Sequence, residues 1–291
     1  MSTITPKAPT TPAPNDQARR DVPAGSRSGL SFLGILSSEW IKLRSLRSTV
    51  WSFVLVIVLA IAVAALMSIA SAVQLGGVGL SMQIPAEDQA LILLSAATSG
   101  VFLGQMIVAI LGVISITGEY STGMIKSTLT AVPRRIPALA AKAIVMFLAT
   151  FVVGVVSAVA SFGVASLLLL GEGLSANLFD PIVLLPLLAS ALYLALVAVF
   201  ALGVGAFLRS SAGSIALAVG TLLVLPIVVG MIPADWALTV TPYLLSNAGV
   251  EMFAQTGTSA IVEPWQNLLV ALGWVAASLV TAALLLKRRD A

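Results

Sequence analysis

Cysteine and histidine are both absent from this chain of 291 residues. Without cysteine, neither a disulfide nor a thiolate metal site can form. Without histidine, the commonest proton shuttle and imidazole ligand are missing. Charge is almost as scarce: charged residues make up 9% of the chain, against roughly a quarter in soluble globular domains. So few charges cannot cover a surface that faces water. Hydrophobic residues reach 59% and the mean hydropathy is +1.07, so lipid must replace water over much of the surface. The composition predicts an integral membrane protein.

The net charge of +3 and the pI near 9.5 do not point to nucleic acid. The basic residues sit in short runs beside apolar stretches, where they act as topology determinants. Residues 1–30 contain no apolar core segment, so they do not read as a cleavable signal peptide. Residues 1–29 are rich in Pro, Ser, Thr and Ala with scattered charges, a composition that cannot build a core. They are expected to form a disordered cytoplasmic tail.

A membrane-spanning helix needs ~20 apolar residues. Six charge-free stretches meet that length: Thr49–Val73, Leu91–Thr117, Ala143–Leu170, Ile182–Leu208, Ala212–Ile232 and Trp265–Leu286. They lack the alternation of a barrel strand, and an isolated strand cannot satisfy its backbone in lipid. The predicted fold is therefore an all-α membrane protein, with residues 49–291 forming a six-helix transmembrane domain.

Six spans place both termini on one side, and charge identifies that side. All 15 lysines and arginines fall before span 1, between spans 2 and 3, between spans 4 and 5, or after span 6. The opposite loops hold Glu87, Asp88, Glu172, Asp180, Asp235, Glu251 and Glu263 with no basic residue. The positive-inside rule makes both termini cytoplasmic, in a multi-pass protein of the inner (plasma) membrane.

No span contains Asp, Glu, Lys, Arg or His. Gln105 and Asn267 are among the few strongly polar side chains in the spans and are read as interhelical hydrogen-bond formers. Gly100 with Gly104, and Ala216 with Gly220, have the spacing of close helix packing within or between subunits. Pro186 and Pro226 should bend spans 4 and 5 by removing backbone donors.

Three segments are more than spans or simple loops. Residues 30–48 carry an apolar stripe of Leu33, Leu36, Trp40 and Leu43 opposite Ser38, Lys42 and Ser45, which predicts an amphipathic helix lying in the cytoplasmic interface. Arg44 and Arg47 fall near the apolar side, from which long arginines can extend to lipid phosphates. The alternative is an unstructured basic anchor. Between spans 2 and 3, Ser121 or Thr122 could cap a short helix with Ile125, Leu129 and Val132 on one side, ended by Pro133. That segment is either a lever for a soluble partner or a loop that only sets topology. The outer loop from Pro233 to Pro264 carries Trp236, Leu238, Tyr243, Leu244, Leu245, Met252 and Phe253, so it either dips back towards the bundle or lies on the outer interface.

At two of these segments, Ser38–Trp51 and Gly118–Arg135, the chain resembles the ABC-2 type permeases, the membrane subunits of one class of ATP-binding-cassette exporter. The resemblance covers about residues 31–289. It implies six transmembrane helices, an N-terminal connecting helix at about Phe32–Arg47, and a coupling helix in the first cytoplasmic loop at about Glu119–Ala131. It also implies a dimer with a second copy or a paralogous permease, bound to a cytosolic ATPase. Glu119, Tyr120, Thr122, Met124 and Lys126 are then the implied ATPase contacts, and ATP and Mg are bound by that partner. The chain itself has no phosphate-binding G-x-x-x-x-G-K-[ST] loop, so no cofactor is expected in it.

Three functions compete: the permease half of an ATP-driven exporter, an ion-coupled secondary transporter, and a structural or sensory membrane subunit. Secondary transporters usually bury ionisable groups in the membrane, and these spans contain none. A membrane-embedded enzyme lacks the side chains for acid, base or metal catalysis, so no catalytic or metal residue is assigned. The uncharged spans suit an amphiphilic cargo.

Overall fold

A computed structural model describes residues 31–78, 84–121, 123, 135–254 and 264–288. Among these residues there is no strand. The helices are α1 (Phe32–Ser45), α2 (Arg47–Val78), α3 (Ala86–Thr98), α4 (Val101–Ser121), α5 (Arg135–Leu169), α6 (Pro181–Leu208), α7 (Ser211–Val219), α8 (Leu225–Gly230), α9 (Asp235–Val240), α10 (Leu245–Glu251) and α11 (Pro264–Arg288). Six segments are long and apolar enough to cross a membrane: Arg47–Gly76, Ala86–Ser121, Ile136–Glu172, Pro181–Leu208, Ser211–Gly230 and Trp265–Leu286. They agree with the six expected spans. α2 forms span 1, α3 with α4 span 2, α5 span 3, α6 span 4, α7 with α8 span 5, and α11 span 6.

Span 4 is the axis of the bundle. A helix that is apolar on every side must be buried on every side, and α6 packs against α4, α5 and α11. Every residue from Tyr193 through Ala206 is buried. Its start is defined by Asp180, whose side chain accepts from the Ile182 N–H at 3.1 Å, with Pro181 in the first turn. Lipid offers apolar side chains much the same environment as a protein core, so close van der Waals packing must hold these helices together. Small residues make that packing possible. A Cβ on Gly154 would stand 2.8 Å from Ala191 Cα, and one on Gly112 would collide with the Ala198 carbonyl.

The two expected small-residue pairs behave differently. A Cβ on Gly100 would lie 2.5 Å from Ala60 Cα, so span 2 touches span 1 backbone to backbone there. Gly104 leaves ordinary contact distance to Leu194. Ala216 is exposed, and a Cβ on Gly220 would meet nothing within 4 Å, so among the described residues this pair packs against no other helix.

The spans depart from plain rods in two places. Span 2 is broken at Ser99–Gly100, where the contact of Gly100 with Ala60 lies. In span 5, where a bend is expected at Pro226, a five-residue π-helical turn, Gly220–Val224, ends two residues before the proline. Pro186 lies inside α6 without interrupting the helix.

Several helices outrun the bilayer. α5 has 35 residues, which at about 1.5 Å per residue exceeds the ~30 Å hydrocarbon core by some 20 Å. Its first turns, including Lys142, therefore extend past the apolar stretch that begins at Ala143.

Among the described residues the outer loop divides: Trp236, Leu238, Val240 and Tyr243 are exposed, whereas the segment around α10 turns inward. Leu244, Leu245, Ser246, Ala248 and Gly249 are all buried. Gly249 lies against the Tyr193 ring so closely that a Cβ would overlap it, and the Phe253 ring centroid stands 6.3 Å from that of Tyr193. Tyr193 is about 18 Å along α6 from Pro181 at 1.5 Å per residue, near the middle of the span. The Tyr193 hydroxyl donates to Gln105 Oε1, joining spans 4 and 2 as an interhelical hydrogen bond. Asn267 is likewise buried, on span 6. Trp274 Nε1 ties the loop to α11 by donating to the Tyr243 carbonyl at 3.0 Å.

Candidate coupling site

The last turn of α4 is held by contacts with three other parts of the chain. Glu119 and Tyr120 project from it in different directions, about 100° apart as successive residues of a helix must be, and each meets a different set of partners.

Glu119 faces α1 and α5. α1 docks through one stripe, Ile35, Glu39 and Lys42, spaced so that all three lie on one side of a helix. Ile35 is buried against Ala141 at the start of α5, with Leu36 beside it. Below that contact the charges meet. Lys142 Nζ lies 2.7 Å from Glu39 Oε2 and 2.8 Å from Glu119 Oε1. Lys42 Nζ lies 2.6 Å from Glu39 Oε1 and 3.3 Å from Glu119 Oε1. The Glu39 and Glu119 side chains are 4% and 11% exposed, and that of Lys142 12%. Two carboxylates and two ammoniums cancel, which is the condition for holding charges out of water.

The electrostatics of the two residues outside the spans follow from this arrangement. Burial pushes the Glu39 carboxyl up, but the Lys142 and Lys42 ammoniums outweigh it and hold the group below its ordinary value. Burial pulls Lys42 down, and the carboxylates of Glu39 and Glu119 more than reverse that, raising it. Both groups stay ionised across the neutral range.

Tyr120 faces the turn between spans 4 and 5. The Arg209 guanidinium stands 5.2 Å from the Tyr120 ring centroid, within cation–π range. Arg209 takes a left-handed conformation, φ 57°, and its N–H bonds the Gly205 carbonyl at 3.0 Å to end α6. One residue on, Ser210 Oγ caps α7, and Ser211 Oγ donates to Thr117 Oγ1 at 2.9 Å. Basic residues from α1, α5 and the span 4–5 turn thus converge on the end of one helix. Beyond Ser121, Gly123 takes φ 72° and its N–H bonds the Tyr120 carbonyl at 3.3 Å, a left-handed residue typical of a helix end.

Of the expected coupling residues, Glu119 and Tyr120 occupy this clamp. Thr122, Met124 and Lys126 lie outside the described residues, as do Ile125, Leu129 and Val132. On α1, Leu36 and Leu43 are half-buried at the edge of the docked face, while Leu33, Trp40, Arg44 and Arg47 are exposed. Lys42, expected on the polar side, points into the charge cluster instead.

Glu39, Lys42 and Lys142 were not singled out from the sequence as a site, because lysines flanking spans read as topology anchors. A signal was nevertheless present. Outside the two terminal segments, Glu39 and Glu119 are the only carboxylates on the basic side of the chain. An acidic residue there contributes nothing to orientation, so it must serve a contact.

A family model described as ABC-2 family transporter protein matches residues 35–224, about two thirds of the chain. The match begins at the inward face of α1 and runs through the π-helical turn of span 5, so it contains the whole charge cluster and the Tyr120–Arg209 contact. No curated protein matches the chain. A six-span, multi-pass membrane protein with this match belongs to the ABC-2 family of transporter proteins.

Proposed function

We propose that the chain is the permease subunit of an ATP-driven exporter, energised by a separate cytosolic ATPase that docks at the segment following α4. The observation that carries this reading is the clamp on the last turn of span 2. A load applied just beyond Ser121 meets α1 and span 3 through Glu119, and the span 4–5 turn through Tyr120 and Thr117. A single docked partner would therefore move three parts of the bundle together. Ion-pair networks and rigid helices of this kind are the physical elements that carry conformational coupling between distant parts of a protein.

In this reading both termini and the basic end of the bundle face the cytoplasm of the plasma membrane. Thr122, Met124 and Lys126 contact the ATPase, which binds the ATP and Mg, while Glu119 and Tyr120, held inside the clamp, carry the load into the bundle. α1 lies in the cytoplasmic interface with Leu33 and Trp40 turned to lipid. A second permease, identical or paralogous, completes the path, and the outward Ala216–Gly220 face of span 5 suits close helix contact with it. The apolar spans suit an amphiphilic cargo.

The test is reconstitution with the copurifying ATPase. ATP-dependent efflux that is lost in Tyr120→Ala, with the variant still inserted and folded, supports the proposal. Full transport by the isolated chain in liposomes, driven by an ion gradient without ATP, refutes it.

A further inference from the structure

Beside the charge cluster lies a cavity of about 260 Å³ between α1, the start of α2, the end of α4 and α5. Its polar wall is formed by Glu39, Lys42, Glu119 and Lys142, and its other edge includes Leu46 and Ile114. Those two apolar side chains are 52% and 46% exposed, so on a membrane-embedded helix bundle this edge meets acyl chains. We infer that the cavity holds the headgroup of an ethanolamine phospholipid from the leaflet at the basic end of the bundle.

Three observations select that occupant. The volume lies just below the range of about 300–1,000 Å³ typical of small-molecule sites, enough for a headgroup but not for its chains. The lysines retain donor capacity, because each ammonium has three N–H groups and each contacts two carboxylates. Glu119 Oε1 receives both lysines, whereas Glu119 Oε2 has no partner among the described residues. One wall therefore offers spare donors and a spare anionic acceptor side by side. A phosphodiester can accept from the lysines while the primary ammonium of ethanolamine donates to Glu119 Oε2, a charge-assisted bond in each direction.

Other headgroups match less well. The four charges sum to zero, so a purely anionic headgroup finds no net attraction and faces two carboxylates. A choline headgroup carries no N–H and cannot satisfy Glu119 Oε2. The glycerol backbone would leave the cavity over Leu46 and Ile114, keeping its chains in the bilayer. This inference requires membrane insertion only and is independent of the ATPase.

The experiment uses the purified full-length protein in detergent. Thermal unfolding is followed with added phosphatidylethanolamine, phosphatidylglycerol, phosphatidylcholine, or soluble glycerophosphoethanolamine, for the wild type and for Ser115→Leu, which fills the cavity from α4 without altering a charge. Each shift is taken from that protein's own lipid-free Tm. Phosphatidylethanolamine is expected to raise the wild-type Tm by several degrees at saturation, as a ligand specific for the folded state must. The shift should be at least halved in Ser115→Leu and small with the other lipids. An equal or larger shift with phosphatidylglycerol or phosphatidylcholine overturns the proposal. So does an undiminished shift in Ser115→Leu, or a shift from the soluble headgroup equal to that from the lipid. Should Ser115→Leu not fold, native mass spectrometry of the wild type decides. One retained phosphatidylethanolamine per chain supports the site, and retention of another lipid or of none overturns it.

Discussion

Glu119 at the end of span 2 and Lys142 at the start of span 3 form an ion pair at 2.8 Å, and each also reaches α1, through Lys42 and Glu39 respectively. The pair is where two spans and the N-terminal helix become one mechanical unit. Both side chains are largely buried, 12% and 11% exposed, so each charge depends on its partners for compensation.

Replacing Lys142 by methionine keeps the stem but leaves Glu39 and Glu119 with Lys42 alone. Removing one partner of a buried ion pair typically costs about 3–5 kcal/mol. A lower Tm in detergent is the expected outcome, and the double variant Lys142→Met with Glu119→Gln should recover part of the loss, since neighbouring charges are not additive. A Tm unchanged by Lys142→Met would show that the cluster does not hold α1 in place.

The pH dependence of this docking has a sign at each end. Glu39 is held below its ordinary value of 4.5, so its contribution is fully present above that value and disappears as pH falls through the depressed one. Lys42 is raised above 10.5, so its contribution is complete below that value and disappears as pH rises through the raised one. The Tm difference between the wild type and Glu39→Gln should be constant near neutrality and shrink towards zero in strong acid. A difference that grows on acidification contradicts the assignment.

The outer helix α10 depends on a glycine. At position 249 any side chain overlaps the Tyr193 ring, so Gly249→Val must displace α10 from the bundle, at a cost of about 1–3 kcal/mol for overpacking alone. The natural chain has no cysteine, so a single engineered thiol can be read without background. Ser246→Cys is expected to resist a membrane-impermeant maleimide in the wild-type background and to react in the Gly249→Val background. Rapid labelling in both backgrounds would place α10 on the surface, and protection in both would show that Gly249 is not what holds it.

Sidedness is tested by the same chemistry. Thiols at Glu87 and Asp235 should be labelled from outside intact cells, whereas one at Ser210 should be labelled only after permeabilisation. The reverse pattern would invert the topology and remove the docking end from the cytoplasm.

Much of this architecture was readable in the sequence because the bilayer enforces a simple rule. A helix must hide its backbone for the full hydrocarbon thickness, so uninterrupted apolar runs such as Ile182–Leu208 mark the spans directly. α1 was legible from its 3.6-residue periodicity, although the docked stripe is Ile35, Glu39 and Lys42 rather than the apolar stripe beside it. The break at Ser99–Gly100 was not legible. It coincides with Ala60, forty residues away in the chain, and no local pattern announces such a partner. The cavity beside the cluster was hidden for the same reason: its walls come from four helices.

Composition and periodicity alone determined that this chain belongs in a membrane and carries six helices long and apolar enough to cross it. Those properties follow from transfer free energies, which each segment satisfies independently of its neighbours. Only the tertiary structure decided which charges meet, that Lys42 and Lys142 share Glu39 and Glu119, and that α10 enters the bundle against Tyr193. Ion pairs and close packing are properties of distance, and distances between remote residues exist only once the helices have been assembled.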